Sequence, residues 1–392
     1  MSRESVVIIG AGQGGLQAAI SLRQNGFAGA ITLIGDEPGL PYQRPPLSKA
    51  YLHDGNAEAL RLRPDSFFTS KEVDYLPETR VEQIDRAAQE IVIAGASGKR
   101  RLGYDHLILA TGTRNLRPPI AGVERSCDLR TLRDAEILRA RLSQPQRIAV
   151  IGGGFIGLEF AAVARKLGHE VSVIEAAPRL MARAVSSWMS DHFAALHRDW
   201  GTALHLGEAA VAVQGDGVTL ANGTTIPAEF VLLAAGVRPN TELAEAAGLE
   251  IENGVKVDAC LLSSDPAISA LGDCACFPDP RTGRPVRLES VQAATDHARL
   301  IAARIAKGES AAYSALPWFW SDQGDRKLQI AGYADPDATE EAVAEGIVAR
   351  FDAQGLAAVE TVNNARVHMK ARRLLASGAP VALDDLGEIV AA

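Results

Sequence analysis

The chain opens on a short apolar run, Val6 to Ile9, that ends among glycines at positions 10, 12 and 15 and passes into a helically spaced stretch, Leu16 to Arg23. A β-branched run, a glycine cluster and a 3.6-residue period predict strand, tight turn and helix in that order. A second apolar run, Ala30 to Gly35, predicts the next strand, with Asp36 and Glu37 at its tip. The same order returns further along: a strand from Arg147 to Gly152, glycines at 152, 154 and 157, a helix to about Leu167, and a strand from Glu170 to Ile174 that ends at Glu175. Beyond about Tyr313 the pattern changes, predicting strands over Lys327 to Tyr333, Glu341 to Phe351 and Leu356 to Thr361, then a helix from Ala365 to Leu375. The fold class that follows is α/β, with two Rossmann-like units and a C-terminal α+β domain.

Each glycine in the repeated turn has a physical task. Gly10 permits the tight turn, Gly12 lets the backbone approach a pyrophosphate, and Gly15 lets the helix pack closely on its strand, with the helix N-terminus facing the anion. One such fingerprint is equally a plain structural turn. Two complete copies, each running through to the terminal acid, predict two dinucleotide sites. The acid accepts the adenosine ribose hydroxyls. In the second copy it is Glu175; in the first the usual position is Gly35, so Asp36 is the ribose ligand and Glu37 the alternative. A 2′-phosphate about 4 Å from Glu175 costs about 4 kcal/mol per unit charge at an effective dielectric near 20, roughly a thousandfold in affinity. Arg179 and Arg183 are close enough in sequence to offset part of that cost, and the preference predicted is NADH over NADPH.

Length and composition narrow the class. At 392 residues the chain predicts two or three domains. A net charge of -8 argues against a nucleic-acid or anionic-membrane partner. Only Cys127, Cys260, Cys274 and Cys276 occur, a scatter that fits a reducing compartment and offers neither zinc nor cluster spacing. The run before Gly10 is too short for a signal segment or membrane span, and the expected location is the cytosol.

Three further segments carry a resemblance. LILATG (107–112), VLLAAGVRPN (231–240) and LGDCA (271–275), together with the two glycine turns, resemble the two-dinucleotide-domain flavoproteins of the glutathione reductase superfamily. Dithiol members carry Cys-x4-Cys just after the first ribose acid; here the first cysteine is Cys127. The corresponding stretch, GDEPGLPYQRPPLSKAYL (35–52), is similar to the NADH-dependent ferredoxin reductases of oxygenases and cytochromes P450, the putidaredoxin reductase-like family. LRTLRDAE, RLESVQAA and PWFWSDQ extend the similarity over essentially the whole chain.

The resemblance implies an FAD-binding domain over 1–115 and 245–312, an NAD-binding domain over 116–244 and a C-terminal α+β domain over 313–392. It implies FAD contacts at Gly14, Asp36, Lys49, Val81, Arg130, Asp273 and Val291, with Arg44 and Thr111 close by; Val81 matches only as a strand before an acidic turn, open to a slip of one residue. On the NAD side it implies Gly152, Gly154, Phe155, Ile156, Gly157, Glu159, Glu175 and Gly236, with Phe155 and Ile156 flanking the nicotinamide. Lys49 reads either as a solvated lysine after a possible N-cap, Ser48, or, by the resemblance, as a positive charge near flavin N5. Glu159 reads as a carboxylate favoured by the helix dipole or, by the resemblance, as a partner of the nicotinamide carboxamide and of Lys49. Trp318 and Trp320 share one face of a strand, either as core packing or, by the resemblance, near the flavin and the ferredoxin dock, with Trp320 on the electron path. His368 lacks the neighbouring glutamate of the dithiol reductases and is expected at the surface, which leaves a monomer or weak dimer sufficient. Arg61, Arg63, Arg287 and Arg326 are candidates to steer an acidic partner.

The activity implied is hydride uptake from NADH by FAD and single-electron delivery to a two-iron two-sulfur ferredoxin serving a P450 or Rieske oxygenase. The alternatives are an NADH:rubredoxin reductase, an NADH oxidase or peroxidase, which in this superfamily needs a flavin-facing cysteine, and an NADH-sensing protein resembling apoptosis-inducing factor.

Overall fold

The structure, a computed structural model, describes residues 4–335 and 337–378. The chain divides into two compact units. The first, Met1–Gln43, Glu58–Arg114 and Arg238–Ala315, is built on a five-stranded parallel sheet in the spatial order Ile268–Ala270, His106–Leu109, Ser5–Ile9, Ala30–Ile34, Val73–Leu76. These strands are continuous apolar runs because both faces of the sheet are covered; Ile8, Leu33, Leu107 and Ile108 are fully buried, and Ile84, Ile91 and Ile93 from two neighbouring antiparallel strands share their core. The helices Gln13–Gln24 and Val291–Lys307 pack closely on each other, and Gly14 lies where a Cβ would meet the Leu271 side chain at 2.4 Å and the Ala294 carbonyl oxygen at 3.3 Å. A three-stranded antiparallel sheet, Arg80–Asp85, Glu90–Gly95 and Gly98–Gly103, completes the unit.

The second unit, Arg44–Ala57, Asn115–Val237 and Leu316–Ala392, holds a four-stranded parallel sheet in the order Ala203–Leu206, Glu170–Glu175, Arg147–Ile151, Phe230–Leu233. It also contains a five-stranded antiparallel sheet, in the order Trp318–Gln323, Arg326–Gly332, Gly355–Val362, Ile347–Asp352, Thr339–Ala344, backed by the helix Ala365–Ala376. The molecule is therefore α/β with two Rossmann-like parallel sheets and a C-terminal antiparallel sheet. The run Glu341 to Phe351, expected as one strand, is two: Gly346, at φ +69°, turns the chain and pairs Thr339–Ala344 with Ile347–Asp352. The antiparallel sheet is tied to the helix Ser187–Asp199 by buried polar contacts. Glu360 accepts from the Ser186 amide at 2.8 Å and hydroxyl at 2.6 Å, and Arg350 lies 3.4 Å away. Among the described residues no helix is long and apolar enough to cross a membrane.

His368 is not at the surface. It is 1% exposed, because it shares the apolar face of its helix with Val367 and Ala371, which pack on the sheet, and its ring meets Trp318 edge-on at 6.1 Å. Residue type suggested exposure, and helical position decided otherwise. Burial pushes its pKa down to about 4, and that of the fully buried His297 down to about 3. Both rings stay neutral in the folded state while the unfolded chain titrates near 6.5, so the unfolded state binds more protons below that pH. The stability they permit is complete above pH 6.5 and falls as the pH drops through that range. Urea unfolding is expected to show about 6 kcal/mol lost from these two groups between pH 6.5 and 4, with His368→Leu removing its share; a flat response would contradict this.

Candidate functional site

In the first unit the strand Ser5–Ile9 ends at Gly10, which has φ +110° and would place a Cβ 2.2 Å from the Ala110 carbonyl oxygen. Gly15 is closed even more tightly, a Cβ there falling 1.8 Å from the Gly10 carbonyl oxygen. Gly12, the N-cap residue, has no side-chain cap and no heavy atom within 4 Å of a Cβ position. The turn is thus packed shut at two glycines and open at the third, in front of a helix N-terminus whose first amides lack a side-chain partner, the shape a pyrophosphate fits. Asp36 is exposed just past the strand tip, whereas Glu37 accepts from the Tyr42 hydroxyl. Asp273 stands on the turn Gly272–Cys274 and accepts from Thr113 at 3.2 Å; Thr111 donates to the Asn240 carbonyl at 2.8 Å. Val81 is half-buried against the core beside an irregularity in its strand, and Val291 is the first residue of its helix after the N-cap Ser290. Gly14 is buried, and its surroundings are protein, Leu271 and Ala294.

The second unit repeats the cradle. Gly152 has φ +113°, and a Cβ at Gly157 would fall 2.3 Å from the Gly152 carbonyl oxygen. Gly154 is the uncapped N-cap of Phe155–Lys166 and again meets nothing within 4 Å. Glu175 accepts from the Gly153 amide at 2.7 Å and the Ala177 amide at 2.8 Å, one bond per oxygen, which leaves lone pairs on both for ribose hydroxyls. Arg179 does not stand ready for a 2′-phosphate: its guanidinium donates to the carbonyls of Val185 at 2.8 Å and Ala182 at 2.9 Å and to the Ser190 hydroxyl at 2.8 Å. Arg183 is exposed near Gly236, which has φ +100°.

Three residues from two other segments of the second unit converge on Glu159, which is 4% exposed. One carboxylate oxygen accepts from Lys49 Nζ at 2.7 Å and from the Ser48 hydroxyl at 2.6 Å; the other accepts from the Ser321 hydroxyl at 2.7 Å. Ser48 is therefore no helix cap: it closes the short helix Pro45–Ser48, and Lys49 takes the cap position of Ala50–Asp54. Lys49 Nζ also donates to the Pro45 carbonyl at 3.1 Å. Arg44 donates to the Arg130 carbonyl at 2.7 Å, which ties that loop to the start of Leu132–Arg141. The rings of Phe155 and Phe319 meet at 4.6 Å, Ile156 is half-buried beside them in sequence, and Trp318 and Trp320 stack at 5.6 Å on one face of their strand. Arg372 lies 4.4 Å over the Trp318 ring. Ser48, expected as a possible helix cap, and Ser321, to which no role was given, both donate to Glu159, and in the sequence only their places beside Lys49 and Trp320 mark them.

All four cysteines are free, and burial pushes the thiols of Cys127, Cys274 and Cys276 up, so none of these three is a ready thiolate. Among the described residues no cluster of His, Cys, Asp and Glu is placed to hold a metal. Arg287 fails as a steering residue. It pairs with Glu289 at 2.7 Å, its side chain is 9% exposed, and it donates to the Asp273 carbonyl at 3.2 Å. Arg61 and Arg63 are exposed, Arg61 paired with Glu58, and Arg326 is partly exposed.

Known families and proteins match nearly the whole chain. Residues 4–298 match the pyridine nucleotide-disulphide oxidoreductase family and residues 318–391 the reductase C-terminal family. The chain is 46% identical to rhodocoxin reductase of Rhodococcus erythropolis over 390 residues, covering 96% of this chain and 90% of that protein. It is 36% identical to putidaredoxin reductase of Pseudomonas putida, covering 99% and 95%. The structure of the covalent putidaredoxin reductase–putidaredoxin complex is similar with a TM-score of 0.93 at 35% identity, covering 100% of this chain and 99% of that one. The two cradles, the absent dithiol and this similarity lead to one conclusion: the chain belongs to the pyridine nucleotide-disulphide oxidoreductase family, among its ferredoxin reductases.

Proposed function

We propose that the chain is an FAD-dependent NADH:ferredoxin oxidoreductase whose acceptor is a two-iron two-sulfur ferredoxin serving a P450 or Rieske oxygenase. Bound FAD supplies the chemistry that links a hydride donor to a one-electron acceptor. The observation that carries the reading is the pair of cradles, each open only at its middle glycine, with no cysteine pair after the first. In the first unit Gly10, Gly12 and Gly15 shape the pyrophosphate turn, Asp36 takes the adenosine ribose and Asp273 and Thr111 the flavin side; Val81 and Val291 keep the FAD contacts that the resemblance gives them, and Gly14 acts from behind the turn, against Leu271 and Ala294. Arg44, Lys49 and Arg130 keep the flavin role that the resemblance gives them, with Lys49 offering positive charge to an electron-rich ring. In the second unit Gly152, Gly154 and Gly157 hold the NADH pyrophosphate and Glu175 its ribose, with Gly236 on the return turn. Phe155, Ile156 and Glu159 orient the nicotinamide, and Trp320 lies on the route of the outgoing electron. We place the protein in the cytosol as a monomer or weak dimer, since its thiols are free and His368 is buried within its own unit.

With Arg179 engaged, Arg183 alone of the two arginines that follow Glu175 in sequence is left to offset a 2′-phosphate. The ratio of kcat/KM for NADH over NADPH is therefore expected to be at least about a hundredfold, part of the roughly thousandfold Coulomb penalty; equal use of both would contradict it. The whole reading is tested by isolating the protein, rebinding FAD, and measuring NADH turnover with a panel of ferredoxins. Failure to hold FAD, or uniformly slow turnover with every ferredoxin, would overturn it.

A further inference from the structure

The support behind Glu159 extends beyond the groups that touch it. The Ser321 hydroxyl has a single proton, given to Glu159, so toward Gln323 it is an acceptor, and Gln323 Nε2 stands 3.3 Å away. That fixes the amide: its carbonyl oxygen points the other way, to His197 Nε2 at 3.0 Å. Burial pushes the His197 pKa down, and its Nδ1 has no partner, so the ring is neutral and carries its proton on Nε2. Every donor in the row His197, Gln323, Ser321 therefore points toward the carboxylate, and hydrogen bonds aligned in this way reinforce one another. Ser321, Gln323 and His197 are each 0% exposed.

The register is equally specific. Phe319, Ser321 and Gln323 occupy one face of the strand Trp318–Gln323, and Phe155 and Glu159 occupy one face of the helix Phe155–Lys166. Residues two apart on a strand and four apart on a helix are both spaced about 6 to 7 Å along their axes. Phe319 thus meets Phe155 while Ser321 meets Glu159. Apolar residues would fill this volume without a row of polar groups to satisfy.

We propose that Ser321 is a positioning residue for Glu159, backed by Gln323 and His197, so that the first strand of the C-terminal sheet sets the direction of the carboxylate that orients NADH. The inference rests on the nicotinamide role given to Glu159 above. The experiment is anaerobic rapid mixing of flavin-loaded protein with NADH, for wild type, Ser321→Ala, Ser321→Thr and Ser321→Cys. Ser321→Ala is expected to lower the limiting rate of flavin reduction about tenfold, the size of one lost hydrogen bond to a charged group. It should also weaken the long-wavelength charge-transfer absorbance between the nicotinamide and the reduced flavin. Ser321→Thr, which keeps the hydroxyl, should restore both. Ser321→Cys, a weaker donor of similar size, should fall between and serves if the alanine variant does not fold. Wild-type rate and absorbance in the alanine and cysteine variants, or no rescue by threonine, would overturn the proposal. A wild-type protein that NADH does not reduce would instead overturn the functional reading, and the inference with it.

Discussion

Gly154→Ala is expected to fold as the wild type does, to keep its flavin, and to be reduced by NADH at least a hundredfold more slowly at low NADH concentration. The position has φ -84° and ψ -179°, which alanine adopts freely, and the added methyl meets no protein atom within 4 Å. Stability should therefore change by no more than about 0.5 kcal/mol. The space it enters is the one in front of the uncapped helix, where a pyrophosphate must come to hydrogen-bond distance of the backbone. Gly157→Ala provides the contrast: its Cβ would fall 2.3 Å from the Gly152 carbonyl oxygen, so the helix must shift and stability is lost with function. Thermal unfolding and stopped-flow flavin reduction, measured on both variants, separate the two. If Gly154→Ala binds NADH normally, the second cradle does not hold the nucleotide.

Glu159→Gln should show the second large effect. The wild-type carboxylate receives three hydrogen bonds, two on one oxygen and one on the other, and it is the counter-ion of Lys49, whose side chain is 19% exposed. An amide cannot accept on both sides: turned toward Lys49 its NH2 group confronts a donor, turned toward Ser321 it forces that hydroxyl to accept and to give its own proton elsewhere, and either way Lys49 loses its charge partner. Stability is expected to fall by about 2 to 3 kcal/mol. NADH-driven flavin reduction should slow about a hundredfold through lost orientation, while chemical reduction by dithionite should be unchanged. A double-mutant cycle with Lys49→Met checks that the two residues act as a pair. An NADH rate in Glu159→Gln within twofold of wild type would remove Glu159 from the nicotinamide site.

What could be read from the sequence follows the range of the interactions. The glycine turns are local: strand, turn and helix lie within some twenty residues, and each glycine is required by its own neighbourhood, so the pattern carried both parallel sheets. Glu159 stood out by its place two residues after a glycine. Its partners did not, because Ser48 is 111 positions before it and Ser321 is 162 after it, and a serine carries no sign of the carboxylate it will meet. Arg179, Arg287 and His368 misled for a related reason. Charge or polarity suggested solvent, whereas backbone carbonyls, Glu289 and a helix face turned inward claimed them. The hairpin at Gly346 was hidden because an unbroken β-rich run conceals a two-residue turn.

The most direct test of the central claim is an anaerobic titration of the FAD-loaded protein with NADH, followed at the flavin absorbance band. A flavin with no redox-active thiol beside it takes up one equivalent of NADH, and bleaching should be complete at that point. Oxidised two-iron two-sulfur ferredoxin, added next, should restore the band with two ferredoxins reduced per flavin. Uptake of a second equivalent of NADH would reveal a dithiol, and no bleaching would reveal an empty or misread cradle; either result would contradict the account.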